Sequence, residues 1–176
     1  MIGPFPTSVV VLPVAWVVIY VHELGHYIAG RRIVEVPDDD IRLVSWLFPR
    51  YVALRDGDDW VAPAEAARYW RGYERHDPED KHRERFAAGG EMVQTAVLVP
   101  VAVLAAVAGF GTLATAVLGV SLLTTAVFVV VDAVVSLRKD TWWGDYAILW
   151  AEDWTALVLL LVGFGSVHLA VLLLVA

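Results

Sequence analysis

Apolar residues in this chain gather into long blocks instead of recurring at the spacing of a one-sided helix or strand. Ser8 to Gly30 forms the first block, and residues 88–108, 112–137 and 154–176 form three more. At 1.5 Å of rise per residue, Ser8 to Gly30 would reach about 33 Å, enough to cross the hydrocarbon of a bilayer. The pattern predicts about four transmembrane helices, and the fold class is an all-α polytopic membrane protein forming one membrane-embedded domain over residues 1–176. Gly30 with Arg31 and Arg32 supplies a helix stop and a cationic anchor. No basic residue precedes the first block, and a cut after it would discard the chemistry it carries, so it is expected to be a retained span and not a cleaved leader.

Two polar stretches interrupt the blocks. Residues 31–87 carry local structure signals and are predicted to be a small α/β insertion after the first span. Ile33 to Val36 and Ile41 to Leu47 alternate like short strands, Tyr51 to Trp60 suggests a hairpin turning at Asp56-Gly57, and Ala64 to Arg75 suggests a helix. The second stretch contains Thr141 to Trp150, apolar but too short to cross. Residues 141–152 are therefore predicted to re-enter the membrane or lie along its face.

Charge fixes an orientation for this layout. Of the thirteen Lys and Arg residues, eleven lie between 31 and 87 and the other two are Arg138 and Lys139. With four spans, both groups fall on one side, and the positive-inside rule makes that side cytoplasmic. The expected location is thus the cell membrane, with the lipid bilayer as the chain's solvent. The protein is 59% hydrophobic with a mean hydropathy of +0.62, and acids outnumber bases for a net charge of −7. No dense basic patch appears, which argues against nucleic acid as a partner. There is no cysteine, so any metal must be held by His, Asp or Glu.

Near the end of the first block stands His22-Glu23-Leu24-Gly25-His26. Residues i and i+4 lie one above the other on a helix, so both imidazoles can bind one ion while Glu23 reaches a water held on it. Counted back from Gly30, His26 and His22 lie about 6 and 12 Å inside the span's end. Three ionisable groups inside an apolar segment are costly to insert and mark a functional site. A catalytic zinc takes three protein ligands and one water, so a third donor is required. Asp145 is favoured, because an acid in a short apolar piece beside a glycine needs a partner and has room to approach one. Asp132 qualifies by depth and sidedness, and Glu91 and Glu152 are weaker candidates. Glu91 is expected to be solvated near the interface, His76 and His82 to sit in a solvated charged turn, and His168 to be a packed histidine.

The pentapeptide in the first span, the small-residue start of the next at Ala87 to Gln94, and Gly144-Asp145-Tyr146 resemble the site-2 protease family of intramembrane zinc metalloproteases. The resemblance implies a zinc ion (Zn2+) held by His22, His26 and a distant aspartate, here Asp145, with Glu23 as the catalytic base. It implies peptide-bond hydrolysis in a single-span membrane protein or peptide as substrate. The Asn-Pro residues that usually precede the family's aspartate, and the glycine that follows it, are missing here. A glutamate-ligated membrane metalloprotease of another type and a non-catalytic metal-binding membrane protein are the alternatives.

Overall fold

A computed structural model describes residues 7–46 and 50–175 of the chain. The element order is α1 (Thr7–Arg32), β1 (Ile41–Val44), β2 (Tyr51–Asp56), β3 (Asp59–Val61), α2 (Ala66–Glu74), α3 (Arg83–Val107), α4 (Gly111–Lys139) and α5 (Asp145–Val175). Helices α1, α3, α4 and α5 are long and apolar enough to cross a membrane. Their outward faces carry exposed Leu12, Leu104, Leu123, Leu159 and Leu173, the surface that hydrocarbon and not water would cover. Inside the bundle, Val18, Leu98, Ala102, Ala114 and Leu118 pack α1, α3 and α4 together.

The closest approach is between α1 and α3. A Cβ on Gly25 would collide with the Gly89 carbonyl and come within 2.7 Å of the Gly90 Cα, and one on Gly89 would meet the Ala29 Cβ at 2.7 Å. Small residues on both helices let the backbones touch, a device suited to lipid, where apolar burial alone does not drive helices together.

The insertion packs on the end of α1. β1, β2 and β3 form an antiparallel sheet in that order, with Leu43 opposite Val52 and Leu54 opposite Val61. Ile41, Val52, Leu54 and Val61 join Tyr69 and Tyr73 of α2, Ala29 of α1 and Phe86 of α3 in a second core. Three details differ from the sequence expectation. Ile33 to Val36 is not a strand, because the Ile33 and Val34 N–H groups bond the Ala29 carbonyl and Val36 bonds Gly30. The open carbonyls at the end of α1 capture those donors before a sheet can. The hairpin turns one residue later than expected, at Gly57-Asp58, with Gly57 at φ 68°. β1 ends at Val44, and Leu47, the end of the strand expected there, lies outside the described residues.

Within residues 141–152, the stretch from Asp145 is a short helical piece set off from the long apolar part of α5 by a kink. Helix α5 begins at Asp145 and leaves helical geometry at Asp153 (φ −152°, ψ 89°). The Asp153 carboxylate accepts the Thr155 and Ala156 N–H groups at 2.9 and 3.0 Å, so it caps the long apolar part of α5. Tyr146, Ile148 and Leu149 of the first part pack against Ala87.

The turn before α3 is less solvated than its charges suggest. Asp77 is 4% exposed and accepts the Tyr73 hydroxyl at 2.9 Å and the Lys81 and His82 N–H groups at 3.0 and 2.8 Å. Burial raises its pKa, but the two amide donors and the hydroxyl outweigh that and hold the carboxyl below its usual range. A depressed carboxylate contributes stability above the ordinary carboxylate range, and the contribution fades as pH falls through and below it. Asp77→Asn should therefore cost about 1–3 kcal/mol near neutral pH and progressively less in acid, measured by thermal unfolding in detergent. Gly25→Ala should lower stability by about 1–3 kcal/mol or more through overpacking in the same assay. Gly119→Ala, where a Cβ would meet nothing within 4 Å, should be neutral.

Candidate metal centre

His22 and His26 stand one turn apart on the face of α1 that meets α3, and both are buried. The Nδ1 of each has a fixed partner. His26 Nδ1 lies 2.9 Å from the Phe86 carbonyl, which can only accept, so this nitrogen carries the proton. His22 Nδ1 lies 3.0 Å from the Gln94 Oε1. The Gln94 amide is oriented by donating through Nε2 to the Ser121 hydroxyl at 2.8 Å, so its oxygen accepts from His22. Both imidazoles therefore turn an Nε2 lone pair inward, and the two nitrogens are 3.2 Å apart.

Helix α5 supplies the third donor. Gly144, at φ 86°, sits against the Asp132 carboxylate with no room for a Cβ, and this turn sets Asp145 at the first position of α5. Asp132 accepts the Tyr146 N–H at 3.0 Å and so closes the open end of the helix. Asp145 Oδ2 then lies 3.0 Å from His26 Nε2 and 3.4 Å from His22 Nε2.

The edges of that triangle suit a metal. Tetrahedral ligands about 2.0–2.1 Å from zinc stand about 3.3–3.4 Å from one another. With both Nδ1 protons given to carbonyls, the three atoms are all acceptors, and a cation among them relieves their repulsion. Gly90 keeps the space open, since a Cβ there would lie 2.5 Å from His26 Nε2 and 2.7 Å from His22 Nε2. The residues present thus fit a divalent ion with two nitrogen ligands and one oxygen ligand, the group His22, His26 and Asp145.

These side chains line a cavity of about 330 Å³ together with Glu23, Asp132, Val52, Tyr69 and Trp143. Glu23 is half-buried at its wall, with the Val52 backbone N–H near its carboxylate. Tyr69 of α2 closes the opposite side; burial, and then the charges of Glu23 and Asp145, hold its phenol protonated well above the usual range. A carboxylate that lines the same pocket as the candidate ligands can move a proton to and from a water there.

The other candidates have different places. Asp132 lines the cavity but serves the α5 backbone. Glu91 is not solvated: it is 1% exposed, accepts the Tyr146 and Thr125 hydroxyls, and lies 4.0 Å from His22 Nδ1, behind the ring. It had looked interfacial because it begins a span, yet the α4 and α5 hydroxyls enclose it. Glu152 pairs with Arg83 at 3.5 Å, away from the triad. His168 is fully buried between the Ser121 hydroxyl and the Phe164 carbonyl, each 3.0 Å away. Sequence reasoning missed the orienting roles of Gln94 and the Phe86 carbonyl. The signal for Gln94 was a polar amide in an apolar span; nothing could have indicated a backbone carbonyl.

Purified protein should bind zinc, and His22→Ala, His26→Ala and Asp145→Ala should each abolish that binding, whereas Glu152→Ala should keep it, as read by metal analysis after dialysis. Gln94→Leu should weaken zinc affinity about 10–100-fold by freeing the His22 ring, measured by chelator competition. Compared with protein-family models, curated proteins and solved structures, the chain matches none.

Proposed function

We propose that this protein is a multi-pass membrane zinc metalloprotease that hydrolyses peptide bonds in membrane-anchored substrates, with Glu23 as general base. The observation that carries the reading is the convergence of two imidazole nitrogens and one carboxylate oxygen at tetrahedral spacing, with a separate carboxylate opening onto the same cavity. A purely structural ion would use a closed ligand set and have no use for Glu23. A bound zinc ion supplies Lewis acidity toward a carbonyl and a water acidified to near neutral pH. His22, His26 and Asp145 would hold the ion, and their partners Gln94, Phe86 and the Gly144 turn fix their orientation. Glu23 accepts the water's proton and delivers it to the leaving amine. Apolar walls, including Phe128 and Ile148, limit water at the reacting atoms.

A substrate helix must unwind to present a carbonyl, and the sheet offers the exposed backbone a partner. Arg55 N–H bonds Asp40 O, so alternate residues of β2 face β1, and Val52 and Leu54 face the other way. Leu54 pairs with Val61 of β3, but continuing that register sets Pro63, which has no N–H, opposite Val52. β3 thus stops short of Val52, whose N–H lies near the Glu23 carboxylate at the cavity wall, and an extended segment would enter beside it by strand addition. The confinement of every Lys and Arg to residues 31–87 and 138–139 supports a cytoplasmic opening for the site.

Glu23→Gln should retain zinc yet lower cleavage of a reconstituted single-span substrate by about 10²–10⁴-fold, read by gel or mass spectrometry. Processing at the wild-type rate would end the proteolytic reading.

A further inference from the structure

Among the described residues one permanently charged cation lines the cavity. Arg50, just before β2, is 4% exposed although it belongs to a polar insertion. Its Nη1 donates to the Trp16 carbonyl at 2.7 Å, and the guanidinium lies 3.4 Å from the Trp16 ring centre and 5.3 Å from that of Tyr20. Its Nη2 is buried and meets no partner among the described residues. No acid of the cavity forms an ion pair with it among the described residues: Asp145 is with the histidines, Asp132 with the Tyr146 N–H, and Glu23, whose charge favours the guanidinium from a distance, lies near the Val52 N–H. The aromatic faces favour a cation but do not neutralise it. A buried guanidinium with no directly paired carboxylate among the described residues and one unbonded nitrogen is costly and marks a site for a partner.

We propose that Arg50 docks a carboxylate of the bound peptide, so that the protein selects chains carrying an acidic group a fixed distance from the cleaved bond. A backbone carbonyl would satisfy the Nη2 hydrogens but leave the charge unmet; a carboxylate does both. Trp16, Tyr20 and Glu23 share one face of α1, and Trp16 and Tyr20 precede Glu23 by about 10 and 4.5 Å along the axis. The guanidinium over those rings is therefore displaced from the reacting atoms by about two or three residues of extended chain. This makes Arg50 a specificity residue and not a catalytic one. The carboxylate comes either from an Asp or Glu side chain or from the free C-terminus of a shortened chain. The inference rests on the proteolytic reading only in taking the ligand to be a peptide.

The test is equilibrium binding of fluorescent apolar peptides to full-length Glu23→Gln protein in detergent, so that no turnover is needed. The peptides differ by Glu or Gln at successive positions around the centre, each with a free or amidated C-terminus. At one position Glu should bind at least 10-fold tighter than Gln, Arg50→Gln should erase the difference, and Arg50→Glu should shift the preference to Lys. If the free C-terminus carries the preference instead, the docked group is the chain end. Equal binding of Glu, Gln, free-acid and amide peptides to protein that retains Arg50 overturns the proposal, as does a preference that survives Arg50→Gln. In wild-type protein the same acidic group should lower KM with little change in kcat. Selective binding without any cleavage by wild type would sink the proteolytic reading and leave the carboxylate site standing.

Discussion

The contact on which the rest depends is the near touching of α1 and α3 at Gly25, Gly89 and Gly90. Two helices this close share backbone: the Phe86 carbonyl comes within reach of His26, and Gln94 within reach of His22. Those two bonds choose the tautomers, and the tautomers aim both free lone pairs at one point. Larger residues at any of the three glycines would separate the helices and release the imidazoles to rotate. The site is therefore a product of packing before it is a product of ligand choice. In lipid such contact has to come from shape, since burying apolar surface gains little there.

Around this contact the polar groups form a continuous web in an otherwise apolar bundle. Gln94 links His22 to Ser121, Ser121 meets His168, and Glu91 gathers the hydroxyls of Thr125 and Tyr146. Each buried polar atom in that web has a partner, which is the condition under which such groups are tolerated away from water. The web also ties α1 to α3, α4 and α5 at the depth of the triad, so ligand geometry and bundle geometry support each other.

Much of this was legible in the order of residues. The lengths of the apolar blocks indicated four long helices, and the five-residue spacing indicated one histidine face with a carboxylate beside it. Asp145 stood out as an acid in an apolar stretch next to a glycine, and Gly144 at positive φ is what lets the chain turn there. What could not be read depends on partners far along the chain. Ile33 to Val36 alternates like a strand, yet its N–H groups belong to the end of α1. Glu91 begins a span and so looked wet, but hydroxyls from two other helices surround it. Nothing in the order of residues singles out Arg50, because no sequence pattern indicates that a loop folds back onto Trp16 and Tyr20.

The triad joins distant parts of the polypeptide: His22 and Asp145 are separated by 123 positions. During synthesis the two imidazoles emerge long before their aspartate is translated. The candidate metal site is consequently incomplete until α5 has docked, and its formation is timed by assembly of the whole bundle. Donors so far apart along the polypeptide keep the three-residue cluster from forming on any partial product of translation.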